Sequence, residues 1–158
     1  MNLKYLIIAG GIFVSVGLTI GGQRLLSDEA PIELKPGDEA LVALGKTVYV
    51  ANCASCHGKD LEGQPNWKSP GPDGNMPAPP HDHTGHTWHH TDKLLFELTK
   101  FGLQKFAGES YKSAMPAYKE ILSDREILAS LSYIKSRWPS AIRERHDEMN
   151  RIANAQKN

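Results

Sequence analysis

Cys53, Ala54, Ser55, Cys56 and His57 read as CxxCH, and Cys53 and Cys56 are the only cysteines in the chain. Two thiols three residues apart with an imidazole directly behind them match the spacing of covalent haem attachment. The thiols can add to the two vinyl groups along one edge of a porphyrin while the histidine swings beneath the iron. Three other uses of the motif ask for features that are missing. A thioredoxin-like CxxC follows a strand in a βαβ pattern, whereas the residues before Cys53 have helical periodicity. A structural zinc site needs two more ligands at compact spacing, and the next histidine is His81. An ordinary disulfide fits the spacing but gives His57 no role.

The chain has 158 residues with 18 basic and 18 acidic side chains, enough for one small domain with appendages. Its neutral balance argues against nucleic acid as a partner, which would call for a clustered basic face. Residues 5–22 form an uncharged, mostly apolar run preceded by Lys4. As a helix that run would extend roughly 27 Å, just enough to span a bilayer. Arg24 follows, then Asp28, Glu29 and Glu33, so the cationic end precedes the run and the rest of the chain should lie outside the cytoplasm. No clean small-residue cleavage site follows, and Gly22 with Ile20 is a mediocre one, so a retained membrane anchor is expected in preference to a cleaved signal.

Residues 23–37, with Pro31, Pro36 and several charges, read as a tether. A helix is expected from near Asp38, with Leu41, Leu44, Gly45, Val48, Tyr49 and Asn52 on one face, running into Cys53. Between Gly58 and His90 six prolines and five glycines leave no convincing regular element. A loop of that length suits a wrap around a flat cofactor, with Leu61, Trp67 and Trp88 as its anchors; the alternative is disorder. Thr91 can cap a helix to Lys100, with Leu94, Leu95 and Leu98 as its buried stripe. An irregular stretch over 103–120 contains Met115. Ser123 with Glu126 makes a capping box, and Leu122 with Ile127 a hydrophobic staple, for a helix with Ile127, Leu131 and Ile134 inward that ends at Pro139. Ser140 is expected to cap a last helix, residues 140–158 forming a helical extension whose charged surface from Arg143 to Arg151 faces solvent.

A leading helix, CASCHG at 53–58, AMPAY at 114–118, and LSDREI followed by SYIKSRWP ahead of Pro139 together resemble the class I c-type cytochromes over residues 38–139. The resemblance implies an all-α fold around one covalent haem c, its first and last core helices crossing with Gly45 allowing close approach and Tyr49 packed at the crossing. It implies thioethers at Cys53 and Cys56, His57 as the proximal iron ligand and Met115, in preference to Met76, as the distal one. A proline carbonyl in APPHD, Pro79 or Pro80 with Pro80 favoured, would hold the other nitrogen of His57. The implied function is one-electron transfer to redox partner proteins at the outer face of a bacterial inner membrane, with no catalytic residue. An enzyme-associated haem subunit is the main rival.

The segment HDHTGHTWHH at 81–90 holds five histidines in ten residues and departs from the generic family pattern. Three uses stay open: N–H donation to the haem carboxylates from residues such as His86 and Trp88, a transition-metal site in a copper-handling or sensing module, or exposed loop histidines. A histidine in place of Met115 on the iron would lower the potential. Finally, Lys93, Lys100, Lys105, Lys112 and Lys119 face only Glu97 and Glu109 across 93–119, a local positive excess that could steer an acidic partner.

Overall fold

The computed structural model describes residues 31–108 and 110–156; the apolar run at 5–22 lies outside the described residues. Among those described, every regular element is helical, and none of the helices is long and apolar enough to cross a membrane. Helix α1 spans Glu39–Asn52. Its first free N–H groups are met by Asp38, whose carboxylate accepts from the Leu41 amide at 2.9 Å, with Glu39 in the favourable first turn. A single turn, α2 (Ala54–His57), carries the second cysteine and the histidine.

The chain then runs through turns to a 3₁₀ turn at Thr87–His89 and into α3, Asp92–Phe101, capped by the Thr91 hydroxyl. The buried face of α3 is Asp92, Leu95 and Phe96; Leu94 and Leu98, expected inside, are only half-buried. Asp92, at the start of the helix, turns inward to a polar network. One turn, α4 (Gln104–Ala107), interrupts the segment expected to be irregular. Helix α5, Asp124–Ser136, starts at the expected capping box, with both reciprocal Ser123–Glu126 bonds present. Helix α6 spans Ser140–Ala155. Ser140 is its first helical residue and not its cap: Pro139 occupies the cap position and no side chain bonds the free amides.

The core is built where α1 crosses α5. A Cβ added at Gly45 would stand 1.9 Å from the Ala129 carbonyl oxygen and 2.9 Å from the Tyr133 Cβ, so the two backbones touch where only a hydrogen fits. Around this point Val48, Tyr49, Ile127, Ala129, Leu131 and Ile134 are buried, and the Tyr49 and Tyr133 rings pack at 5.5 Å. Trp138, 2 % exposed, closes the far end of α5.

Two expected appendages belong to the packed body. Leu34, placed by the sequence in the tether 23–37, is 3 % exposed and part of the main cluster, with Ile32 packed against it. Helix α6 is not only a solvated extension, since His146 is fully buried and Ile142 packs on the core. Both are held by one polar network. The buried Asp92 carboxylate accepts from the Leu34 amide at 2.9 Å and from Asn150 at 3.2 Å, while the Asp92 amide donates to Asn150 at 2.8 Å. The buried Lys135 ammonium lies 3.6 Å from Asp92 and 2.6 Å from Asp147. Apolar periodicity shows none of these partners, because each comes from a different element.

Two stability measurements test this packing. Replacing Gly45 by alanine raises helix propensity by about 1 kcal/mol, but the backbone clash should outweigh it, for a net loss of about 2 kcal/mol or more in chemical denaturation. His146 Nε2 meets the His90 carbonyl at 2.8 Å; a carbonyl only accepts, so that nitrogen carries the proton. Burial, then the Lys135 charge, holds the His146 pKa below the ordinary histidine value. The unfolded chain therefore takes up this proton near pH ~6.5 while the folded chain resists it, so stability should decline as pH falls through that value toward the folded pKa. His146→Gln, which keeps a donor but cannot titrate, should make the decline shallower.

Candidate haem site

The CxxCH motif sits where α1 ends. Cys53 is the C-cap residue of α1, its amide bonded to the Tyr49 carbonyl at 2.8 Å, and the turn of α2 brings Cys56 and His57 round behind it. Both thiols are free, Cys53 half-buried and Cys56 exposed. Burial, then the nearby Cys56, raises the Cys53 thiol to about 11, so it is protonated at neutral pH. A redox CxxC works by the opposite shift, a thiol pKa lowered toward neutrality. The helical setting separates this pair from a thioredoxin-like site, and the upward direction of the Cys53 shift agrees with that.

His57 is buried, and its Nδ1 meets the Pro79 carbonyl oxygen at 2.8 Å. Pro80, favoured by the sequence reading, does not take this role. Its carbonyl accepts instead from the Thr87 hydroxyl at 3.4 Å, because successive carbonyls in the extended APPHD stretch point in different directions. Since the Pro79 oxygen can only accept, Nδ1 is the protonated nitrogen and Nε2 keeps a free lone pair. Burial lowers the His57 pKa, partly offset by the Pro79 bond, which favours the neutral ring that a metal requires. Among the described residues no hydrogen bond engages Nε2, and no buried side-chain nitrogen or oxygen lacks a partner, so Nε2 keeps some accessible surface. The donor set therefore fits a haem: two free thiols, one imidazole with an available lone pair, and a carbonyl behind it.

The loop ahead of Pro79 is tied back at several points. The Gly63 amide donates to the His57 carbonyl at 2.8 Å and the Gln64 amide to the Ala78 carbonyl at 2.8 Å. Gly63 has φ +68°, and a Cβ there would stand 2.4 Å from the Pro80 nitrogen; glycine lets the two arms of the loop meet. Tyr49 donates its hydroxyl to the Gly58 carbonyl at 2.9 Å, and Leu61 is 2 % exposed beneath the turn.

On the other side, Met115 is half-buried against the core cluster, its amide donating to the Ser113 hydroxyl at 3.1 Å. Tyr118 anchors that loop: its hydroxyl donates to the Asn52 carbonyl at 2.7 Å, one residue before Cys53, and its amide to the Thr99 carbonyl of α3 at 3.1 Å. Met76 is close by, its amide donating to the Lys112 carbonyl at 3.2 Å. A cleft of about 380 Å³ opens there, lined by Trp67, Lys68, Met76, Pro77, Pro79, His86 and Tyr111. Met76 borders this cleft and Met115 packs on the core cluster.

The histidine-rich segment divides. His86 stacks on Trp67 at 5.2 Å and lines the cleft. Trp88 does not face it as a free donor: its indole N–H goes to the His83 carbonyl at 3.3 Å, its ring is stacked on His89, and the Arg145 guanidinium of α6 lies over it at 5.4 Å. The 3₁₀ turn carries Trp88 toward α6. Among the described residues no three His, Cys, Asp or Glu side chains gather as a metal site. His81, left in the cluster by the sequence, lies face to face with His57 at 3.9 Å; five histidines in ten residues gave no signal for which would do so.

The expected lysine excess is largely met locally. Lys93 pairs with Glu97, Lys100 with Asp124 at 2.7 Å and Lys119 with Glu120 at 3.6 Å. Lys105 lies over the Phe101 ring at 4.0 Å.

Neither a curated protein nor a solved structure matches the chain significantly. The family model described as cytochrome c matches residues 42–138, more than half of the chain, from within the first turn of α1 to just past the end of α5. With the all-helical architecture and a CxxCH motif whose imidazole is set for a metal, the chain belongs to the cytochrome c family, proteins of haem-based electron transfer.

Proposed function

We propose that this protein is a one-electron carrier with a single covalent haem c. Cys53 and Cys56 form the thioethers, His57 is the proximal ligand and Met115 the distal one. The observation that carries this reading is the 2.8 Å contact of His57 Nδ1 with the Pro79 carbonyl, which leaves the Nε2 lone pair for iron and fixes the ring behind it. When bound, the haem supplies one Fe(II)/Fe(III) couple.

The protein's own part is to hold and shield. Tyr49 ties α1 to the residue that ends α2, and Tyr118 ties the Met115 loop to the end of α1, so both ligand-bearing segments share one support. With His57 and Met115 both holding the iron, no position would be left for substrate, and the methionine would raise the potential by favouring the reduced state. Met115 is preferred to Met76 because it precedes Pro116 in a loop bolted to both α1 and α3, whereas Met76 sits in the long proline-rich loop. Residues 5–22, as an anchor or exported leader, place the domain at the outer face of a bacterial inner membrane, where it passes electrons between redox partner proteins.

Denaturing mass spectrometry of protein made in haem-competent cells should show the polypeptide mass plus one haem, and Cys53→Ser with Cys56→Ser should return it to the bare mass. The unmodified mass in the wild type would overturn the reading. Met115→Ala should abolish the sulfur–iron absorption band and lower the potential by a sizeable part of the roughly 0.8 V range that axial ligation spans. Met76→Ala should leave both almost unchanged; the reverse result would assign Met76 as the ligand.

A further inference from the structure

The His57 ring is held on two sides. Its Nδ1 meets the Pro79 carbonyl, and one face is covered by the His81 ring, with centroids 3.9 Å apart and planes 20° from parallel. His81 is itself fixed from several elements. Its amide donates to the Leu61 carbonyl at 2.8 Å, its carbonyl accepts from the Trp138 indole N–H at 2.8 Å, and its Nδ1 meets the Thr87 hydroxyl at 2.8 Å. Tyr49 packs edge-on to it at 6.3 Å. The backbone of His81 is thus pinned by Leu61 and by Trp138, two residues past α5, and its ring by the 3₁₀ turn.

We propose that His81 is a positioning residue that sets the plane of the His57 imidazole. This rests on the reading of His57 as the proximal iron ligand. A single hydrogen bond at Nδ1 restrains the ring within its own plane but lets it tilt about the line joining Nδ1 to the metal side. A second ring stacked at 3.9 Å removes that freedom, because tilting drives one imidazole face into the other. Groups behind an axial ligand tune the metal through ligand orientation, and the plane of an axial imidazole decides which of the two iron d orbitals of π symmetry lies higher. That orientation is read in the oxidised protein by the anisotropy of its electron paramagnetic resonance signal and by the spread of the haem-methyl proton resonances. A role limited to packing would leave both unmoved.

His81→Phe keeps a flat ring on His57, whereas His81→Ala removes it; Thr87→Val keeps His81 but removes the hydroxyl that fixes its ring, so the ring is free to turn. The test compares the oxidised, haem-loaded full chain of each variant with wild type. The expected result is that His81→Ala retains covalent haem and a low-spin spectrum but loses the wild-type order and spread of the haem-methyl resonances. His81→Phe should restore most of the pattern, and Thr87→Val should broaden or partly shift it. Identical resonance patterns in wild type and His81→Ala would overturn the inference while leaving His57 as ligand. If His81→Ala does not fold, the proposal stands or falls on Thr87→Val: an unchanged pattern there overturns it. Wild-type protein without covalent haem would overturn the reading of His57 first and this inference with it.

Discussion

The close contact of α1 with α5 at Gly45 governs the rest of the molecule. Because a hydrogen is all that separates the α1 backbone from the Ala129 carbonyl, α1 has one depth and one angle at which it can lie. Tyr49, one turn further on, is then carried into the interior with no exposed surface, close enough to Gly58 for its hydroxyl to reach the carbonyl there. Three residues later, the Asn52 carbonyl is where Tyr118 can donate to it. The end of α1 thus becomes a fixed platform, and the CxxCH turn that follows inherits its position.

The loops around the motif have little regular structure, yet they are tied by named bonds rather than left free. From the front, Gly63 and Leu61 hold the chain to the His57 turn. From the back, Trp138 at the end of α5 donates to the His81 carbonyl, linking the last core helix to the segment that carries Pro79. Buried backbone groups without helix or strand partners are costly unless met in this way. The prolines suit the arrangement for the complementary reason: they bring no N–H that would need a partner.

A second, polar centre holds the outer parts. Asp92, Lys135, His146 and Asn150 connect the segment before α1, the start of α3, the end of α5 and the middle of α6. Burying a carboxylate and an ammonium is expensive unless both are paired and hydrogen-bonded. Here Asp92 has the Leu34 amide, Asn150 and Lys135, and Lys135 has Asp147 as well. Each of these contacts joins two of the four elements, and together they tie the segment before α1 and helix α6 to the core.

The sequence by itself determined the elements whose causes are local. The caps at Thr91 and Ser123, the apolar stripes of α1 and α5 and the CxxCH triplet all act within one or two helical turns. Each was therefore legible from spacing alone. Tertiary structure decided everything that joins residues distant in sequence. It chose Pro79 over Pro80 behind His57, since the direction of a carbonyl depends on how the whole loop is folded back. It singled out His81 from five histidines, sent Trp88 to the Arg145 side, and turned Asp92 and His146 inward. These outcomes depend on which group finds a partner well beyond the next helical turns, 22 residues away for His57 and Pro79 and 58 for Asp92 and Leu34, and no local pattern carries that information.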